Sequence, residues 1–266
     1  MTLASSMRSA VEAFDSRLPT RRGITVLIYH RVGGGSSSGV DIEPSVFEAQ
    51  LDHLVQHHRV LTLDDAVSAL GSGSDAHGVV LTFDDGTADF VEHAVPLLQR
   101  FAVPATLYVA TSFVDSSTTF PWGAAPVSWS GLADAVSTGL VTIGSHTHTH
   151  RLLRDASERE VIDEVRRSSD LITERLGVVA RHFAYPKAVP GSRAAERVVR
   201  SSFVSAALAG NGTNRAANVD LHRLRRTPVR RSDSAAVFAA RARGGMRLEG
   251  SLRSTATVFR FRRSSV

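Results

Sequence analysis

Between residues 24 and 229 the chain alternates short β-branched runs with stretches of helical apolar spacing at least six times, and no internal repeat is visible. The runs lie at 24–30, 60–63, 79–83, 103–110, 140–143, 182–185, 203–208 and 224–229. Alternation of this kind implies an α/β fold, a mostly parallel sheet wrapped by helices. A length of 266 residues with 42% apolar content suits one compact (β/α) barrel of about seven strands somewhat better than an open sheet. The helical stretches carry recognisable ends. Ser45 with Glu48 and Ser157 with Glu160 have capping-box spacing, Phe47, Leu51, Leu54 and Val55 share one face, and Gly177 follows the periodic run 157–176. Further helices are expected at 64–70, at 88–101 with a break at Pro96, at 130–137 and at 192–201. Residues 33–39 and 71–78 are Gly/Ser-rich connectors, and 111–128 is a long loop containing Pro121 and Trp122.

In a barrel built this way, chemistry collects where strands end in their C-terminal direction. The apolar run 79–83 ends in Asp84-Asp85-Gly86, which alone is ordinary turn chemistry. Three other strand ends also carry reactive groups: His30, the stretch His146-Thr147-His148-Thr149-His150, and Tyr185-Pro186-Lys187. The chain has no cysteine, so a metal would be held by His, Asp or Glu. His146 and His150, four apart, can face one ion together with one aspartate, whereas an extended chain would align His146, His148 and His150 instead. A His/His/Asp set leaves a zinc-type ion an open position, as a hydrolytic site requires. The second aspartate is then available as a proton acceptor; adjacency alone assigns neither role.

These residues resemble the polysaccharide deacetylases, the carbohydrate esterase group with the NodB homology domain. Thr82-Phe83-Asp84-Asp85-Gly86, His146 to His150 and Phe183-Ala184-Tyr185-Pro186 look like its three successive motifs, with Leu27-Ile28-Tyr29-His30 and Leu224 to Val229 flanking them. The resemblance implies a NodB-type distorted barrel and a hydrolase that removes N-acetyl groups from amino sugars. It implies Asp85, His146 and His150 as ligands of one divalent ion, usually zinc, with Asp84 as general base and the backbone N–H of Lys187 as oxyanion donor. Ala184 stands where the common third motif has an arginine that orients the base, so Arg226, or Arg225, is expected to supply that guanidinium. The usual late Leu-x-His motif is absent after residue 222. In a circularly permuted branch of the family the corresponding histidine comes from the first strand, which makes His30 the general acid here. Trp122, Tyr185 and Pro186 complete the expected substrate-binding set, while Trp129 reads as core.

Charge separates a body from a tail. Residues 241–266 hold seven arginines against Glu249 alone, a balance of +6 in a chain of net charge +5, so the first 240 residues carry −1. The expected organisation is an arm at 1–22, the deacetylase-like domain at 23–245 and an Arg-rich tail at 246–266. The tail could meet an anionic membrane surface; no specific nucleic acid partner is expected. No apolar run approaches the roughly 18 residues that span a bilayer, and the first 22 residues lack a secretory apolar core. The expectation is a cytoplasmic, at most membrane-peripheral protein acting on a polysaccharide, an oligosaccharide or a lipid- or nucleotide-linked precursor. Two other readings fit the same residues: an amidohydrolase of small non-sugar amides, and a deacetylase-like scaffold that binds anionic surfaces through its tail.

Overall fold

The computed structural model describes residues 22–246. The arm and the Arg-rich tail lie outside the described residues apart from Arg22 and Met246, and the surface-binding role expected of the tail lies outside them too. The first strand, β1 (Ile24–Tyr29), is followed by a separate two-stranded ladder of β2 (Arg31–Val32) and β3 (Asp41–Ile42). β1 then joins β4 (Gly78–Phe83), β5 (Ala105–Val109), β6 (Val141–Ser145), β7 (His182–Ala184), β8 (Ser205–Ala209) and β9 (Leu224–Pro228) in a closed barrel of parallel strands. Closure is made by β9 pairing back onto β1, with Arg226 opposite Val26.

Period-two alternation sorts the strand residues into two apolar clusters. Ile24, Val26, Val80, Tyr108, Ala184, Ala207 and Leu224 form one, together with Leu63, Ala66, Val67 and Leu70 of a helix that plugs the barrel. Leu27, Tyr29, Val79, Leu81 and Phe83 fall in the other, against the helices outside. Every residue of β1 is therefore buried, as expected of a strand covered on both faces. Gly144 is required by this packing: a Cβ there would lie 2.6 Å from the Tyr108 ring, which crosses the barrel interior.

Helix α1 (Pro44–His57) starts at Pro44 with Glu43 as an uncapped N-cap, so the Ser45–Glu48 capping box expected from spacing does not form. Proline presets the first-turn φ and removes a donor that would be orphaned anyway. Phe47, Leu51 and Leu54 are buried from this helix, each contributing about 1.5–3 kcal/mol, whereas Val55 is exposed. The strand expected at 60–63 shrinks to a single bridge between Val60 and Val79, because Thr62 caps helix α2 (Leu63–Gly71) by accepting from the Asp65 N–H. The expected break at Pro96 appears as a π-turn (Phe90–Ala94) running into α3 (Val95–Phe101). The long loop is not structureless: it opens with α4 (Thr111–Ser116). α5 (Trp129–Ser137), α6 (Glu158–Leu176), α7 (Arg193–Ser202) and α8 (Ala235–Ala242) complete the α-helices among the described residues, the last unanticipated. The Ser157–Glu160 capping box is present on α6, and Gly177 ends that helix at φ 68°.

Among the described residues no helix is long and apolar enough to cross a membrane.

Candidate active site

The C-terminal ends of β1, β4, β6 and β7 deliver His30, Asp84, Asp85, His146, His150 and Lys187 to one cavity of about 460 Å³. Its geometry begins with backbone strain. Of eight non-glycine residues with positive φ among the described residues, five stand here: Asp85 (77°), Thr147 (66°), His150 (59°), Lys187 (54°) and Ala188 (53°). Such conformations persist only where their surroundings impose them, and they concentrate at functional sites.

Asp84 is almost wholly buried and paired. Arg226 Nη1 donates to its Oδ1 at 2.6 Å and Nη2 to its Oδ2 at 2.8 Å. Burial would raise this carboxyl, but the Arg226 guanidinium, and then His146, overturn that effect and hold it at about 2. Arg226 itself is buried, its guanidinium carbon 5.1 Å from the Tyr108 ring centroid, and Nη1 also donates to Thr82 Oγ1 at 3.1 Å. Strand register separates the two candidate arginines, since Arg226 points into the barrel and its neighbour Arg225 is exposed.

Asp85, His146 and His150 place one ligand atom each within 4.8 Å of one another. His146 Nε2 is 3.6 Å from Asp85 Oδ1, and His150 Nε2 is 3.3 Å from the same oxygen. The other nitrogen of His146, Nδ1, lies 2.7 Å from the Ala184 carbonyl oxygen. A carbonyl only accepts, so Nδ1 carries the hydrogen. Burial, the largest influence, drives the His146 pKa down to about 4 and keeps the ring neutral. Its Nε2 therefore turns a lone pair toward a carboxylate oxygen. Two facing acceptors repel unless a cation lies between them, and this His/His/Asp donor set fits a divalent ion. His148 is not in the set; its Nδ1 lies 3.0 Å from Thr111 Oγ1.

His30 lines the cavity, and its Nδ1 is buried without a hydrogen-bond partner among the described residues. Trp122 also lines it, 45% exposed, stacked on Phe120 at 4.8 Å and edge-on to His150 at 5.7 Å. Phe120 stacks in turn on Phe113 at 4.3 Å. Trp129 packs partly buried against the core, as expected. Tyr185 and Pro186, expected as substrate contacts, lie behind the cavity wall. Both are buried and neither lines the cavity; Tyr185 packs edge-on against Phe183 at 5.1 Å, because the chain turns after Ala184 and sends that ring outward from the barrel.

One wall escaped the sequence reading. Residues 33–39 are not a loose connector: Asp41 accepts from Gly34 N–H (3.0 Å), Ser36 N–H (2.8 Å) and Ser36 Oγ (2.7 Å). Arg31 Nε donates to Asp89 at 2.7 Å and its Nη2 to the Gly34 carbonyl at 3.0 Å. Ser36, Ser37 and Ser38 thereby line the same cavity as Lys187. Only the recurrence of Asp and Ser around the glycines hinted at it, and that pattern is common in loops.

With this geometry in view, similarity to known proteins is decisive. Residues 72–201 match the sequence family described as polysaccharide deacetylase. The chain carries a polysaccharide deacetylase domain. Its barrel is of the NodB type. The structure of IcaB from Ammonifex degensii superposes on this deacetylase fold with a TM-score of 0.74 at 26% identity, covering 85% of this chain and 98% of that one. Streptococcus pyogenes deacetylase PplD in complex with acetate matches with a TM-score of 0.73 at 23% identity, over 83% of this chain and 98% of that one, a likeness of fold. Poly-beta-1,6-N-acetyl-D-glucosamine N-deacetylase of Staphylococcus aureus (strain MSSA476) is 28% identical over 155 residues, 54% of this chain and 53% of its own length. Its counterpart in Staphylococcus epidermidis is 24% identical over 150 residues, 53% of this chain and 51% of its own. The match thus spans about half the length of these curated relatives.

Proposed function

We propose that this domain hydrolyses the N-acetyl group of N-acetylated amino sugars, releasing acetate and a free amine, with one divalent ion, of zinc type, held by Asp85, His146 and His150. The observation that carries the reading is the division of labour between adjacent aspartates: Asp84 is locked by Arg226 while Asp85 faces both histidines. The similarity to enzymes named for deacetylating poly-N-acetylglucosamine supports the substrate class.

A divalent cation bound there would supply the positive charge that acidifies water and polarises an acetamide carbonyl. Asp84, ionised at neutral pH, accepts a proton from the attacking water through a lone pair that Arg226 leaves free. Arg226 acts through Asp84 as a positioning residue, fixing both oxygens from the barrel interior. Water oxygen adds to the acetamide carbon, and charge develops on the former carbonyl oxygen. The backbone N–H of Lys187, held by its left-handed turn at the rim, donates to that oxygen. His30 gives a proton to the amide nitrogen as the C–N bond breaks. Trp122, beside His150 on its aromatic stack, offers an apolar surface to a sugar ring.

The test is acetate release from β-1,6-linked N-acetylglucosamine oligomers, nucleotide-linked N-acetylhexosamines and simple acetamides. Release from a sugar substrate supports the proposal. Release from simple acetamides alone would replace it with the small-amide reading.

A further inference from the structure

Three residues, Thr147, His148 and Thr149, separate the two histidines of the cation site, and each of their backbone N–H groups ends on a side-chain acceptor. Thr147 N–H donates to Ser145 Oγ at 3.3 Å, and Ser145 Oγ lies 2.9 Å from Ser168 Oγ on α6. His148 and Thr149 N–H both donate to Glu164 Oε2, at 2.9 and 2.8 Å. The Thr149 hydroxyl donates to Glu164 Oε1 at 2.6 Å. From the other side, α4 takes the carbonyls: Thr111 N–H donates to Thr147 O at 3.4 Å and Ser112 N–H to His148 O at 2.8 Å. The connection between the ligands is thus clamped between two helices, and its strained members, Thr147 and His150, flank the residues that Glu164 grips.

Glu164 is well placed to hold this grip. Val161, Val165 and Ser168 are the buried face of α6, and Glu164 lies on that face, half-buried, three and four residues from two of them. Asp163 and Asp170 of the same helix are exposed. The carboxylate spends both oxygens on residues 148 and 149 and reaches none of the cation ligands directly.

We infer that Glu164 is a positioning residue for the cation site, holding the 147–149 connection so that His150 Nε2 stays within reach of the ion that His146 and Asp85 share. This rests on the reading of Asp85, His146 and His150 as the cation site. The role is geometric and does not depend on the charge of Glu164. A glutamine can reproduce it, its amide oxygen accepting both N–H groups while its NH₂ donates to the Thr149 hydroxyl, which can accept as well as donate.

The experiment titrates zinc into metal-stripped protein against a chromophoric chelator, and records the visible absorption of the cobalt(II)-loaded form. Wild type, Glu164→Ala, Glu164→Gln, Thr149→Val and His150→Ala are compared. Glu164→Ala should weaken zinc binding about 10- to 100-fold, the range found for residues that orient metal ligands, and alter the cobalt spectrum, while Glu164→Gln should stay within about threefold of wild type. Thr149→Val, losing one contact of three, should fall between them, and it carries the test together with Glu164→Gln if Glu164→Ala does not fold. Wild-type affinity and spectrum in Glu164→Ala or in Thr149→Val would overturn the inference, as would Glu164→Gln binding as weakly as Glu164→Ala. Equal binding by wild type and His150→Ala would instead overturn the cation-site reading itself.

Discussion

Arg226 and Asp84 meet in the barrel interior by two parallel hydrogen bonds of 2.6 and 2.8 Å, with both side chains almost inaccessible to water. Two buried opposite charges are costly to separate, because the survivor of either deletion is a desolvated ion without its partner. Arg226→Ala should therefore lower unfolding stability by about 3–5 kcal/mol, and turnover should fall with it as Asp84 loses its fixed orientation. Denaturant unfolding of the variant measures this; a loss under about 1 kcal/mol would mean that the pair is solvated as surface pairs are.

The general-acid role assigned to His30 predicts a selective defect. His30→Gln should reduce kcat by about 10²–10⁴ while zinc still binds stoichiometrically, since His30 is not in the Asp85, His146, His150 set. Rates on an activated acetate ester, whose leaving group needs no proton, should suffer much less. An equal loss on amide and ester would point to a packing role.

Trp122 predicts a dependence on substrate size. It stands at the cavity on a stack of aromatic rings. Trp122→Ala should raise KM for oligosaccharides while leaving turnover of a simple acetamide nearly unchanged. A matching loss on both would place the ring in the reaction itself.

Acid sensitivity should come partly from a cluster remote from the cavity. His53 lies 4.6 Å from His57 and 5.6 Å from His58, ring to ring, near Phe238 on α8. Burial, then the neighbouring histidines and Arg243, lower the pKa of both His53 and His58 below 6.5. The unfolded chain then binds more protons than the folded one once pH falls below about 6.5, so stability is lost on acidification through that range. Wild type and His58→Gln, compared by thermal unfolding between pH 7.5 and 5, should diverge in slope, with the variant flatter. Parallel curves would contradict this.

Much of the architecture was legible because long elements repeat their pattern. Helix 158–176 was readable from its capping box, its apolar face and Gly177, and the barrel from alternation together with chain length. Short or boundary-driven elements were not. The six-residue α4 and the two-residue strands β2 and β3 are shorter than the stretch over which a helical or strand period can be read, and Pro44 overrode an otherwise sound capping pattern. At the site, adjacency could not rank Arg225 against Arg226, because only the pairing of β9 with β1 decides which side chain enters the barrel. Tyr185 is a motif neighbour of Lys187 in sequence, yet the turn between them carries its ring behind the cavity. Glu164 was invisible because its partners lie sixteen and fifteen residues away and the contact is to backbone.

The account turns on a cation held by Asp85, His146 and His150 beside Asp84 as base, and one measurement bears on both parts. Acetate release from N-acetylglucosamine oligomers is followed with chelator-stripped protein, before and after one equivalent of zinc, for wild type and Asp84→Asn, with bound zinc quantified in each sample. The account predicts no release when stripped, recovery with zinc, and an Asp84→Asn protein that binds zinc yet releases acetate at least about 10²-fold more slowly. Undiminished release by stripped protein, or near-native release by Asp84→Asn, would contradict it.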